Sequence, residues 1–129
     1  ITSGTNAIAQ RAAIAALKAP KSEIQYMIDE FKKRRDLVLA LLSEVEGLKV
    51  NVPEGAFYVF PDVSSFFGKT LRGRTIGNAS DFSLYLLEEA MVATVTGEAF
   101  GDANCIRISY AASEKELREA IRRIKESLA

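Results

Sequence analysis

The sequence contains no histidine and no tryptophan, and only one cysteine and three prolines in 129 residues. Without histidine, Ser-His-Asp and Cys-His catalysis cannot be assembled from this chain, and most zinc sites lose their usual ligand. Acid–base chemistry is left to carboxylates, lysines, tyrosines or a bound cofactor. The lone Cys105 has no internal disulfide partner, which suits a reducing, cytoplasmic setting. An excess of either charge is also missing. Seventeen Lys and Arg balance seventeen Asp and Glu, so nothing marks nucleic acid or an anionic membrane as a partner. No apolar run approaches a membrane span, and no signal peptide is visible. What is present is globular: 48% hydrophobic and 26% charged residues, enough for one domain with a core. Residue 1 is isoleucine, and the opening residues read as a loop running into a helix. The expectation is a piece of a longer protein.

Hydrophobic spacing predicts helices over 5–17, 22–45, 80–90 and from Ser113 to the end. The first is Ala-rich, which suits close packing on other protein, and Lys18-Ala19-Pro20 ends it. Ser22 is positioned to cap the second, and Gly47 stands where a left-handed C-cap is wanted. Ser113-Glu114-Lys115-Glu116 has the form of a capping box. Short strands are expected at 48–52 and 56–60, joined as a hairpin through Pro53-Glu54-Gly55, and again at 91–95 and 104–110. Residues 63–78 read as loop. The resulting fold class is α/β, with helices on a small mixed or antiparallel sheet.

Arg107 is the most informative polar position. Alternation places Ile106, Ile108 and Tyr110 on one face of its strand, and Cys105, Arg107 and Ser109 on the other. A guanidinium beside small residues has room for a planar anion and can form a forked pair with a carboxylate. From pattern alone, an arginine on a solvated sheet face is the commoner outcome. Gly68-Lys69-Thr70 resembles the end of a phosphate loop, but Val63 occupies the position of its first glycine. The basic run Lys32-Lys33-Arg34-Arg35 is flanked by Asp29, Glu30 and Asp36, as on a solvated helix face.

Four stretches taken together resemble fold-type I pyridoxal-phosphate-dependent aminotransferases, closest to the bacterial aspartate aminotransferases. They are residues 2–10 (TSGTNAIAQ), 53–58 (PEGAFY), 92–101 (VATVTGEAFG) and 106–111 (IRISYA). The resemblance implies that residues 1–20 close the large domain, and that 21–129 form the small C-terminal domain. It matches Arg107 to the arginine that holds the substrate α-carboxylate. It matches the Gly97–Gly101 turn, with Phe100, to a segment near the active site. Thr2, Ser3, Gly4, Thr5 and Asn6 correspond to a loop at a homodimer interface, close to the partner subunit's cofactor. Many relatives carry proline where Thr96 stands. The lysine that forms the Schiff base with pyridoxal phosphate lies, in the family, before the start of this chain. None of the eight lysines here has its Ser-Lys or Ser-x-x-Lys context. The implied activity is amino-group transfer between an amino acid, aspartate foremost, and a 2-oxo acid. The isolated chain should be inactive, holding no catalytic residue and no metal. A stand-alone binding or regulatory module of the same fold, or another pyridoxal-phosphate enzyme such as a decarboxylase or lyase, stays open.

Overall fold

The computed structural model describes residues 4–129, and the expectations for Thr2 and Ser3 lie outside them. The chain divides into two compact units, one ending at Glu30 and one running from Phe31 to Ala129.

The first unit carries α1 (Ala7–Lys18) and the start of α2 (Gln25–Ser43). Asn6 begins α1 by accepting hydrogen bonds from the Ile8 and Ala9 amides at 2.8 and 3.3 Å, satisfying two donors that have no intrahelical partner. No residue of α1 is buried. Ser22 does not cap α2. Lys21–Glu23 instead forms a 3-10 turn, with Glu23 N–H donating to the Pro20 carbonyl at 3.0 Å. Pro20 can accept but not donate, so the tighter turn forms first and α2 begins two residues beyond it. Ile24, Met27 and Ile28, which follow the apolar spacing of the predicted 22–45 helix, are exposed.

The second unit has its own core. From α2, Val38 and Leu42 enter it, joined by Val45 from the turn that follows. The helix ends at Ser43, short of the expected 45, and Gly47, at φ +91°, lies in the turn beyond it that Leu48 N–H closes onto the Val45 carbonyl, so it is not the C-cap. The expected hairpin of 48–52 with 56–60 is reduced to one antiparallel bridge just beyond the second segment. Residues 48–52 contribute a single bridge, Lys49 to Asp62, while β1 (Tyr58–Val59) pairs with β5 (Ile106–Ser109). The apolar face of β5 offers more burial than the short, proline-bounded segment before it. A strand also appears inside the expected loop. β2 (Thr70–Leu71) and β3 (Arg74–Thr75) form a small hairpin, with Arg72 and Gly73 both at positive φ in its two-residue turn.

Next come α3 (Ala79–Glu89), β4 (Val95–Thr96), β5 and α4 (Glu114–Leu128). Asn78 caps α3 through the Asp81 amide. In α4 the Ser113 hydroxyl takes the Glu116 amide while the Glu116 carboxylate takes the Ser113 amide, so the capping box is complete. The sheet is antiparallel with order β1-β5-β4, which resolves the mixed-or-antiparallel expectation. Ile106, Ile108 and Tyr110 face the core with Phe66, Phe82, Tyr85 and Ile121. The Phe66 and Phe82 rings stack at 4.9 Å, and the Tyr85 hydroxyl donates to the Ser127 carbonyl, tying α3 to α4.

Candidate carboxylate site

The central strand of a three-stranded sheet is its best-held element, and Arg107 sits on it. Its strand neighbours Ile106 and Ile108 are buried on the core side, so alternation turns the guanidinium to the other face. Val95 pairs with Arg107, and Tyr58 pairs with Ser109, so both neighbours share that face. Cys105, expected beside Arg107 with small residues, is buried. Burial pushes its thiol up to about 11, with Asp102 and Asp62 adding to the effect.

The surroundings of Arg107 are aromatic rather than merely small. Its guanidinium carbon lies 4.4 Å from the Tyr58 ring centroid and 4.0 Å from that of Phe100. Tyr58 comes from β1 on one side of the central strand. Phe100 comes from the turn that follows β4 on the other. Sequence reading had no residue opposite Arg107 and missed Tyr58. The available signal was the aromatic strand segment 57–60, whose register against β5 only the fold supplies.

Five other arginines (Arg35, Arg72, Arg74, Arg122 and Arg123) each face a carboxylate. Among the described residues no hydrogen bond or ion pair engages the Arg107 guanidinium. A partly buried cation held between π faces keeps its in-plane N–H donors as candidate anion contacts.

Gly97 shapes the turn that delivers Phe100. Its amide donates to the Cys105 carbonyl at 2.7 Å, and its own carbonyl accepts from Asp102 at 3.2 Å. A Cβ there would lie 2.3 Å from the Asp102 carbonyl oxygen and 2.4 Å from that of Cys105. Only glycine permits that closeness. Gly97–Phe100 is a 3-10 turn closed by Gly101 in the left-handed region, and Phe100 also meets Phe60 edge-on at 6.5 Å. Gly4, Thr5 and Asn6 are exposed in the other unit, where Thr5 accepts from the Gln10 side chain at 2.8 Å.

These residues do not build a complete site for pyridoxal phosphate. Seven of the eight lysines are exposed, and Lys125 is engaged with Glu44. None is placed as a sequestered amine, and no group of carboxylates among the described residues could hold a metal. The geometry places a guanidinium between two aromatic rings, one of them delivered by the Gly97 turn.

Comparison with known proteins accounts for this arrangement. A family model described as aminotransferase class I and II matches residues 2–124. The chain is 46% identical to a bifunctional aspartate and glutamate/aspartate-prephenate aminotransferase of Petunia hybrida, covering 98% of this chain and 27% of that protein. It is 50% identical to a probable aspartate/prephenate aminotransferase of Rickettsia prowazekii, over 96% of this chain and 31% of that protein. The crystal structure of the aspartate aminotransferase from Rhizobium meliloti superposes with a TM-score of 0.92 at 44% identity, covering 98% of this chain and 32% of that one. An alanine aminotransferase from Pyrococcus furiosus gives 0.82 at 32%, covering 94% and 29%. The chain thus spans about a third or less of these relatives, and corresponds to their C-terminal α/β domain. On the family match and the identities together, this chain belongs to the class I and II aminotransferases.

Proposed function

We propose that the chain serves as the substrate-carboxylate domain of an aminotransferase that passes an amino group between aspartate and a 2-oxo acid, with pyridoxal phosphate. The observation that carries this reading is Arg107: central in the sheet, flanked by two rings and without an acidic partner. Its guanidinium would take the α-carboxylate as a forked, charge-assisted pair. That fixes the amino-acid end of the substrate while leaving its side chain to other groups. Pyridoxal phosphate, when bound, supplies the electron sink for the transfer, and its lysine would come from the part of the protein beyond this chain. In this reading 1–20 belong to the large domain and 21–129 to the small one. The setting the resemblance implies is a cytoplasmic homodimer, with the loop at Gly4, Thr5 and Asn6 near the subunit interface.

The Petunia and Rickettsia relatives carry prephenate in their names, which adds prephenate as a second amino acceptor to test. The test is amino transfer from aspartate by the purified full-length protein, offered prephenate and a dicarboxylic 2-oxo acid in turn. Transfer to either supports the reading. Release of carbon dioxide or cleavage of a carbon–carbon bond, with no amino acid formed from the acceptor, would replace it with a decarboxylase or lyase.

A further inference from the structure

Arg107 differs from the five carboxylate-paired arginines in what holds it. A carboxylate fixes a guanidinium, but it also neutralises the charge and occupies its donors. At Arg107 the neighbours are rings instead, with the Tyr58 and Phe100 centroids 4.4 and 4.0 Å from the guanidinium carbon. Both lie well inside the ~6 Å over which an aromatic ring attracts a cation. The attraction comes from the ring quadrupole, so the cation keeps its full charge and its N–H donors. A long side chain with nothing to hold it has many rotamers, and an anion that must order it binds more weakly. Each ring has a second ring against it. The Phe57 centroid lies 4.4 Å from that of Tyr58, and Phe60 meets Phe100 edge-on. Their backbones are placed independently, Tyr58 by the pairing of β1 with β5 and Phe100 by the Gly97 turn.

We infer that Tyr58 and Phe100 are positioning residues, which hold the Arg107 guanidinium in place for the α-carboxylate without neutralising it. The inference rests on Arg107 being the carboxylate anchor proposed above. The rings act through the arginine, by keeping the cation ordered before the anion arrives. What each position needs is therefore a ring, and the Tyr58 hydroxyl is dispensable for this role. Loss of either ring weakens the binding of every amino acid alike, because all share the α-carboxylate.

Arginine-directed modification tests this without relying on turnover. The full-length protein is treated with phenylglyoxal in rising acetate, and adduct formation on the Arg107 peptide is followed by mass spectrometry. In the wild type, acetate should slow the adduct. Phe100→Leu and Tyr58→Leu should each raise the acetate concentration for half-protection about fivefold. Phe100→Tyr and Tyr58→Phe should stay within about twofold of wild type, because they keep the ring. Phe100 is half exposed and lies outside the buried core, so Phe100→Leu decides if thermal melts show that Tyr58→Leu fails to fold. If a folded leucine variant keeps the wild-type half-protection, or if the ring-conserving variants lose protection as the leucine variants do, the positioning claim fails while the anchor reading survives. If acetate gives no protection of Arg107 in the wild type, the anchor reading fails and the positioning claim with it.

Discussion

At the scale of single residues, Arg107 stands on the central strand between two aromatic rings. Its strand supplies position, the two rings supply orientation, and the lack of an acidic partner leaves its charge available. Cys105, two residues away, shows the opposite condition. It is buried, its thiol is pushed up to about 11, and Asp102 and Asp62 reinforce that shift. At neutral pH it is almost wholly protonated and shielded. Alkylation by iodoacetamide is therefore expected to be at least a hundredfold slower in the folded protein than in denaturant. Rapid stoichiometric labelling of the native state would contradict the burial described here. Alternation in the sequence put Cys105 on the Arg107 face and allowed it to be accessible. It could not show that Asp62 bridges Cys105 and covers that end of the strand.

At the scale of elements, the capping box was readable in advance, whereas strand partners were not. The capping box at Ser113 is local and formed as expected, whereas Gly47 is left-handed but stands four residues past the end of α2 rather than capping it. Ser113→Ala should destabilise the second unit by about 1 kcal/mol, read from the midpoint of urea unfolding. The turn at Gly97 is less forgiving. Gly97→Ala places a methyl against two backbone oxygens that no side-chain rotation can move. It should cost about 1–3 kcal/mol and displace Phe100, so anion binding at Arg107 weakens along with stability. An alanine variant of unchanged stability would mean the turn relaxes freely. The pairing of β1 with β5 was not legible, since β5 lies far along the chain and nothing local marks it as the partner. The β2–β3 hairpin was hidden for a different reason, since it needs Arg72 in the left-handed region, where arginine is uncommon.

Between these elements, Asp62 is a pH-sensitive joint. Hydrogen bonds from Ser64 hold its carboxyl below the ordinary value of 3.8, with the charge of Lys49 assisting and burial opposing. A lowered folded-state value means this contribution is present at neutral pH, above the unfolded value. It is lost as pH falls through the folded value, below 3.8. Asp62→Asn should therefore lower stability at pH 7 and flatten its acid dependence over that window, measured by urea midpoints from pH 7 to 2. An unchanged acid limb would contradict the joint.

At the scale of the whole molecule, the chain matches the C-terminal α/β domain of class I and II aminotransferases and spans about a third or less of their length. The resemblance in the sequence anticipated the missing lysine context, and the structure adds that seven lysines are exposed and the eighth is paired. Mixing the isolated chain with pyridoxal phosphate should give only scattered lysine adducts. A saturable, one-to-one adduct on a single lysine would overturn this. The exposed apolar residues of the first unit, Ile8 and Leu17 among them, have no burial within the described chain. Hydrogen exchange in α1 of the isolated chain should be fast compared with residues 31–43 of α2. Equal protection in a dilute monomer would show that α1 is stable without further partners.

The central claim is that Arg107 holds the α-carboxylate of every substrate. The measurement that reaches it most directly is kcat/KM of the full-length Arg107→Lys variant on several amino acids that differ only in side chain. Lysine keeps the charge and loses the fork. Charge-assisted hydrogen bonds contribute roughly 1.5–3 kcal/mol each, so efficiency should fall by roughly one to several powers of ten. The fall should be similar for acidic and neutral amino acids, with pyridoxal phosphate binding unchanged. Near-normal efficiency, or a loss confined to acidic substrates, would contradict the assignment.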